Sequence, residues 1–135
     1  MIGFLFDTNV LLDIATADSV WLAWSENQFR LAAEQGPILI NPIIYAEVAP
    51  AFASAADLDR WLDRFVFQRL SLPYPAGWVA AQAFVKYRRG GGTRTTPLPD
   101  FYIGAHAEIE KRTLVTRDAV RYRTYFPNVL LITPT

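Results

Sequence analysis

Cysteine is absent from the chain, which excludes disulfides, thiolate zinc sites and cysteine nucleophiles. Histidine occurs once, at His106, so serine–histidine catalysis and two-histidine metal sites have little to draw on. No apolar run approaches the roughly 18 residues of a membrane span. The apolar opening, Ile2 to Phe6, is too short for the core of a signal peptide and ends in Asp7. The expectation is a cytoplasmic protein with no membrane partner, and the lack of cysteine suits a reducing compartment. Repeats, low-complexity tracts and domain-splitting linkers are missing too, and 135 residues fit one domain, 1–135, able to bury a core without staples. Formal net charge is zero, so no whole-molecule field advertises a polyanionic partner. The charge is nevertheless unevenly spread. Residues 1–85 hold four Arg against nine Asp/Glu, and residues 86–135 hold nine Lys/Arg against four Asp/Glu. Two solvated faces of opposite sign account for this, and so does an anionic partner for the second part.

What is present reads as short apolar strands alternating with helices. Gly3-Phe-Leu-Phe6 suits a strand buried on both faces, and Asp7-Thr8-Asn9 suits the start of a helix directly after it. Asp18-Ser19 is expected to cap a second helix that Gly36-Pro37 stops. A strand at 38–40 leads into a helix opened by Asn41-Pro42 and ending near Pro50. An amphipathic helix over 57–67, a short extended piece over 70–72 and a helix over 76–88 follow. Trp21, Trp24, Trp61 and Trp78 are read mostly as core. Gly90-Gly91-Gly92 breaks the chain. Pro97 and Pro99 precede a helix to about 111, then come a strand at 113–115, a helical turn over 118–125 and a strand over 129–132. The pattern predicts a three-layer α/β/α fold with a short, mainly parallel central sheet.

In such sheets, sites form beyond the carboxyl ends of the strands, which makes the placement of four acids informative. Asp7 follows the first strand and Asp118 follows the 113–115 strand. Glu47 lies in the helix after the second strand, and Asp100 in the first turn of the helix begun by Pro99. Singly, each has an ordinary role: a cap, a solvated helix residue, a partner for the helix dipole, a turn residue. Jointly those roles weaken. Glu47 is flanked by Ile44, Tyr45, Ala46 and Val48, and Asp100 neighbours Leu98, Phe101 and Ile103, company in which a carboxylate is costly unless paired or metal-bound. Two unit charges ~4 Å apart repel by about 4 kcal/mol at an effective dielectric of ~20. A divalent cation reverses that sign, and oxygen ligands without Cys or a His cluster suit Mg²⁺ or Mn²⁺. His106, six residues after Asp100, is read as structural.

Four ordered blocks carry a resemblance. They are Phe6-Asp7-Thr8-Asn9-Val10-Leu11-Leu12, Ile44-Tyr45-Ala46-Glu47-Val48, the stretch Leu98-Pro99-Asp100 to Ala107, and Leu114-Val115-Thr116-Arg117-Asp118 with Tyr122-Arg123 and Tyr125-Phe126-Pro127 after it. The set resembles the PIN domain, and specifically the VapC-like toxins of bacterial and archaeal toxin–antitoxin pairs. The resemblance implies a metal-dependent endoribonuclease in which Asp7, Glu47, Asp100 and Asp118 hold Mg²⁺ or Mn²⁺, while Asn9 and Thr116 orient the acids or a water. It implies cleavage of looped or structured RNA (transfer or ribosomal RNA) and so arrest of translation. It also implies a cognate antitoxin and a homodimer, for which some of the tryptophans on the helices at 19–35 and 57–67 would form a groove or dimer face. Residues 50–95 match only in general shape. Arg117, Arg121 and Arg123 beside Asp118, and Arg88, Arg89 and Arg94 around the triple glycine, become candidate RNA contacts.

Two other classes compete. A phosphohydrolase or phosphoacceptor domain would use Asp7 as nucleophile. Haloacid-dehalogenase-like enzymes usually want a second Asp two residues on, where this chain has Asn9, and a lysine after a late strand. The only lysines, Lys86 and Lys111, fall in predicted helices. A non-catalytic PIN-fold module for RNA or protein binding would be expected to have lost an acid, and none is missing.

Overall fold

The computed structural model describes residues 3–95 and 98–134; Ile2 and Pro97, used in the sequence reading, lie outside them. Strand β1 (Phe4–Phe6) is buried throughout. It leads into α1 (Thr8–Ala15), whose N-cap is Asp7. Helix α2 spans Leu22–Gln35, starting later than Asp18-Ser19 suggests. The Asp18 carboxylate instead accepts from the Val20 and Trp21 amides, at 2.9 Å each, and holds a separate turn ahead of the helix. Strand β2 (Ile38–Ile40) is followed by α3 (Pro42–Val48), with Pro42 in the first turn and the Asn41 side chain accepting from the Ile44 amide. A short 3₁₀ turn, Ala49–Ala51, absorbs Pro50.

Helix α4 runs Ala55–Arg64, shifted toward the N-terminus from the expected 57–67 because Ser54 caps it through the Asp57 amide. Val66, at φ 61°, turns the chain out of it. Strand β3 is Gln68–Arg69 rather than the apolar 70–72. Both of its side chains are exposed, so hydrophobic patterning could not reveal it; it is held by backbone pairing, with Leu39 opposite Gln68 and Ile40 opposite Arg69. Helix α5 (Tyr74–Arg89), α6 (Pro99–Glu110), β4 (Thr113–Val115), α7 (Ala119–Tyr125) and β5 (Leu131–Ile132) complete the chain. The last strand is shorter than 129–132, since Val129 packs in the core and Leu130 is exposed.

All four strand pairings are parallel, in the order β3-β2-β1-β4-β5, with helices layered about the sheet as expected of an α/β/α fold. The core has two aromatic centres. Phe6, Phe29 and Phe67 meet with centroids 4.8–5.8 Å apart, and Phe101, Tyr122, Tyr125 and Phe126 join α6 to α7. Trp61 packs on Phe52 and Phe65, whereas Trp78 departs from the core expectation and is 71% exposed. His106 is fully buried and tied at both nitrogens, as its structural reading requires. Asn41 already uses its oxygen on the Ile44 amide, so its nitrogen faces His106 Nδ1; that leaves Nε2 to donate to Glu110. Among the described residues no helix is long and apolar enough to cross a membrane.

Candidate active site

Sheet order locates the site. The chain spreads from β1 to β2 and β3 on one side, then returns to place β4 on the other side of β1. The crevice beyond the carboxyl ends of β1 and β4 is therefore a topological switch point, where open α/β sheets bind ligands. Asp7 leaves β1 there, and Thr116-Arg117-Asp118 leaves β4.

Asp7 is 3% exposed. Its Oδ1 accepts from the Thr8 amide at 2.8 Å, and its Oδ2 accepts from the Thr116 hydroxyl at 2.7 Å and, at 3.4 Å, from the Asn9 amide nitrogen. Thr116 Oγ1 in turn accepts from the Asp118 amide at 3.0 Å, so one hydroxyl ties the Asp7 carboxylate to the backbone of Asp118. Asn9 Oδ1 accepts from the Arg117 amide at 3.2 Å. Asn9 and Thr116 thus fasten the β1–α1 and β4–α7 junctions to each other. The Thr8 hydroxyl donates to Glu47 at 2.6 Å and brings α3 to the same place. Asp118 caps α7 through the Arg121 amide, at 3.4 Å. Cap and site roles coincide at Asp7 and Asp118.

Electrostatics joins the four acids. Burial lifts the Asp7 pKa to about 7, with Thr116 holding it down and the charge of Asp100 pushing it up. Asp100 is raised by its own desolvation; Arg121 opposes this, while Glu47 and Asp118 add to it. Asp100 is thus coupled to every other member of the quartet. The Tyr122 hydroxyl, fully buried, is driven well above its ordinary range, first by burial and then by Asp7, Asp100 and Asp118. The donor set is all oxygen, and a carboxylate buried with no cation of its own fits a hard divalent ion in kind. Among the described residues no three acidic or histidine side chains are already gathered tightly enough to hold an ion, so the acids form an electrostatic cluster rather than a finished cage.

The arginines divide. Arg117 sends Nε and Nη2 to the two oxygens of Asp13, at 2.7 and 2.9 Å, and lies over the Trp21 ring at 5.1 Å. Asp13, 2% exposed, also takes the Ser25 hydroxyl at 2.7 Å. The Arg117 guanidinium is therefore engaged on the α1–α2 side, and its backbone amide is the part that serves the site. Arg121 lies over Phe101 at 5.7 Å, beside Asp100, and its Nη1 is buried with no hydrogen-bond partner among the described residues. Arg123, Arg88, Arg89 and Arg94 are exposed. Tyr87 packs on Phe101 at 5.7 Å and on Tyr125 at 6.4 Å, which sets the basic end of α5 beside the start of α6, where Asp100 sits.

The structure thus brings together Asp7, Glu47, Asp100, Asp118, Asn9, Thr116 and Arg121. Sequence reasoning missed Thr8, Asp13 and Tyr122. Thr8 reads as a helix-start residue. The other two read as helix interior, and their partners are long-range.

The family model described as the PIN domain matches residues 4–127. Among solved structures, the chain is similar to VapBC2 from Rickettsia felis bound to a DNA fragment from their promoter, at TM-score 0.72 and 18% identity over 96% of this chain and 97% of that one. It is similar to DNA-bound VapBC from Salmonella typhimurium, at TM-score 0.71 and 20% identity over 98% of each chain. A toxin–antitoxin complex from Klebsiella pneumoniae gives TM-score 0.69 and 21% identity, again over 98% of each. At these identities the likeness is one of fold. A comparison with curated proteins finds no match.

Proposed function

The chain belongs to the PIN-domain family, and from that premise we propose that it is a divalent-metal-dependent endoribonuclease, a single nuclease domain serving as the toxin of a toxin–antitoxin pair. The carrying observation is the link from the Asp7 carboxylate through the Thr116 hydroxyl to the Asp118 backbone amide at the switch point, with Glu47 and Asp100 coupled to these acids. Asp7, Glu47, Asp100 and Asp118 would hold Mg²⁺ or Mn²⁺. Bound there, the ion supplies acidification of a water and charge neutralisation at the scissile phosphate. Thr116 and Asn9 keep the Asp7 carboxylate pointed into the crevice, and Thr8 does the same for Glu47. Water adds to phosphorus, the bond to the 3′-oxygen breaks, and the products carry a 5′-phosphate and a 3′-hydroxyl.

Arg121 and Arg123, with the basic cluster of Arg88, Arg89 and Arg94, would contact RNA phosphates, which positions a strand without reading its sequence. Arg117 would act through its loop rather than on the strand. Looped transfer or ribosomal RNA is the substrate class, with arrest of translation as the consequence in the cytoplasm. An antitoxin partner and self-association are part of the same reading, and the toxin–antitoxin complexes among the similar folds support the antitoxin.

The test is cleavage of a looped RNA with Mg²⁺ or Mn²⁺, with mapping of the new ends. Cleavage should stop with EDTA and in Asp7→Asn and Asp100→Asn. Activity that survives either treatment refutes the proposal, and a phosphoaspartate at Asp7 would replace it.

A further inference from the structure

Among the described residues the Tyr122 hydroxyl lies beside the acidic site without a hydrogen bond of good geometry. Tyr122 lies on α7, four residues before Phe126 and in ring contact with it at 6.4 Å, and none of its surface is exposed. Its ring serves the α6–α7 core, and a phenyl group would do that equally well. The hydroxyl, in contrast, is buried with no partner at hydrogen-bond geometry among the described residues. Buried hydroxyls are normally satisfied, so this one needs a reason. Its surroundings supply one: it lies against the Asp7 carboxyl, close enough to lower that group's pKa, with Asp100 and Asp118 also in electrostatic range. A phenol is un-ionised at neutral pH, so the hydroxyl is available as a donor. Asp7 meanwhile has a carboxylate's four acceptor positions; Thr8 and Thr116 hold two firmly, at 2.8 and 2.7 Å, and Asn9 only loosely, at 3.4 Å, so a turn that releases Asn9 leaves one position for the phenol and one for a cation.

We propose that Tyr122 is a positioning residue of the acidic site, whose hydroxyl completes its hydrogen bond to Asp7 when that carboxylate turns to hold a divalent cation. The inference rests on the metal-site reading above. It assigns Tyr122 a role through Asp7 and no contact with the RNA.

Tyr122→Phe removes the hydroxyl and keeps the ring. Metal-free wild type, Tyr122→Phe and Tyr125→Phe are titrated with Mn²⁺ by calorimetry, and their metal-free thermal unfolding is measured alongside. Tyr125→Phe is the control, since it removes a half-buried hydroxyl from the same helix. Tyr122→Phe should raise the Mn²⁺ dissociation constant three- to tenfold with metal-free stability unchanged or higher, and Tyr125→Phe should leave the constant within twofold. Equal Mn²⁺ affinity in wild type and Tyr122→Phe overturns the role of Tyr122 while the metal site stands. An equal loss in Tyr125→Phe assigns the effect to the helix and overturns it too. A wild type that binds no Mn²⁺ overturns the metal reading, and this inference with it.

Discussion

Burial of the Asp7 carboxyl raises its pKa from 3.8 to about 7, and that displacement fixes how the residue bears on stability. The folded chain holds the proton over a range where the unfolded chain has already lost it. The native state therefore binds more protons between about pH 4 and 7, and stability falls as pH rises through that window. A shift of about three units corresponds to roughly 4 kcal/mol, fully felt above pH 7. His106 acts in the opposite sense. Burial lowers its pKa below 6.5, so its contribution is present at neutral pH and lost as the medium becomes acidic. Because the two slopes fall in overlapping pH ranges, the Asp7 part is isolated by subtraction. Asp7→Asn keeps an acceptor for the Thr8 amide and removes the ionisation. In the absence of metal it should unfold several degrees above wild type at pH 8, with the gap closing below pH 5, while RNA cleavage is lost. Calorimetric or circular-dichroism melts across pH decide it; a variant less stable than wild type at pH 8 would show that Asp7 is no burden to the fold.

Helices α6 and α7 carry Asp100 on one and Asp118, Arg121 and Tyr122 at or on the other, so their spacing sets the shape of the site. Gly104 is a point of close approach: a Cβ there would meet the Phe126 ring at 2.4 Å, and Phe126 is itself buried. Alanine should gain up to about 1 kcal/mol of helix propensity at such a position. Overpacking against a core ring costs about 1–3 kcal/mol, and it should prevail here because Phe126 is confined by Phe101 and Tyr122. Gly104→Ala is expected to lower stability by about 1–2 kcal/mol in urea unfolding and to reduce cleavage by displacing α7; an unchanged urea midpoint would mean that Phe126 moves aside freely. The sequence displays a helix over 99–111 and a glycine inside it, and nothing in it says what the glycine faces. The same division holds across the elements. Strands β1 and β2 are legible because burial on both faces makes them continuous apolar runs, and β4 is legible through its buried Leu114-Val115. Strand β3 is not, because Gln68 and Arg69 are held at the sheet edge by backbone alone. Asp7 and Asp118 are legible as site acids because strand ends announce them. The clamp of Arg117 by Asp13 joins residues 104 apart, and the Asp7–Thr116 bond joins residues 109 apart; no local pattern encodes either.

For the whole molecule, the net charge of zero conceals a dipolar arrangement. Four electrostatically coupled acids lie about the sheet's carboxyl edge, and the basic end of α5 is held beside them by Tyr87 and by Lys86, whose Nζ donates to the Thr124 carbonyl at 2.9 Å. A cation and a phosphate chain are complementary to neighbouring regions of one surface, which is the arrangement a metal-dependent nuclease needs. Proton and metal then compete for the acidic region. With Asp7 titrating at about 7, a cation binding below that pH must displace a proton, and its apparent affinity should weaken up to about tenfold for each unit of acidification. Above pH 7 the proton is already gone, and the cation relieves the cost of an ionised buried carboxylate. Ligand binding raises stability by RT ln(1 + [L]/Kd), so at a fixed subsaturating Mn²⁺ concentration the increase in unfolding temperature should be larger at pH 7.5 than at pH 6. Asp7→Asn should show a much smaller increase with little pH dependence. Scanning unfolding with and without Mn²⁺ at the two pH values measures this directly. The same increase at both would remove Asp7 from the ligand set, because a ligand that holds a proton at pH 6 must give it up before it can hold the metal.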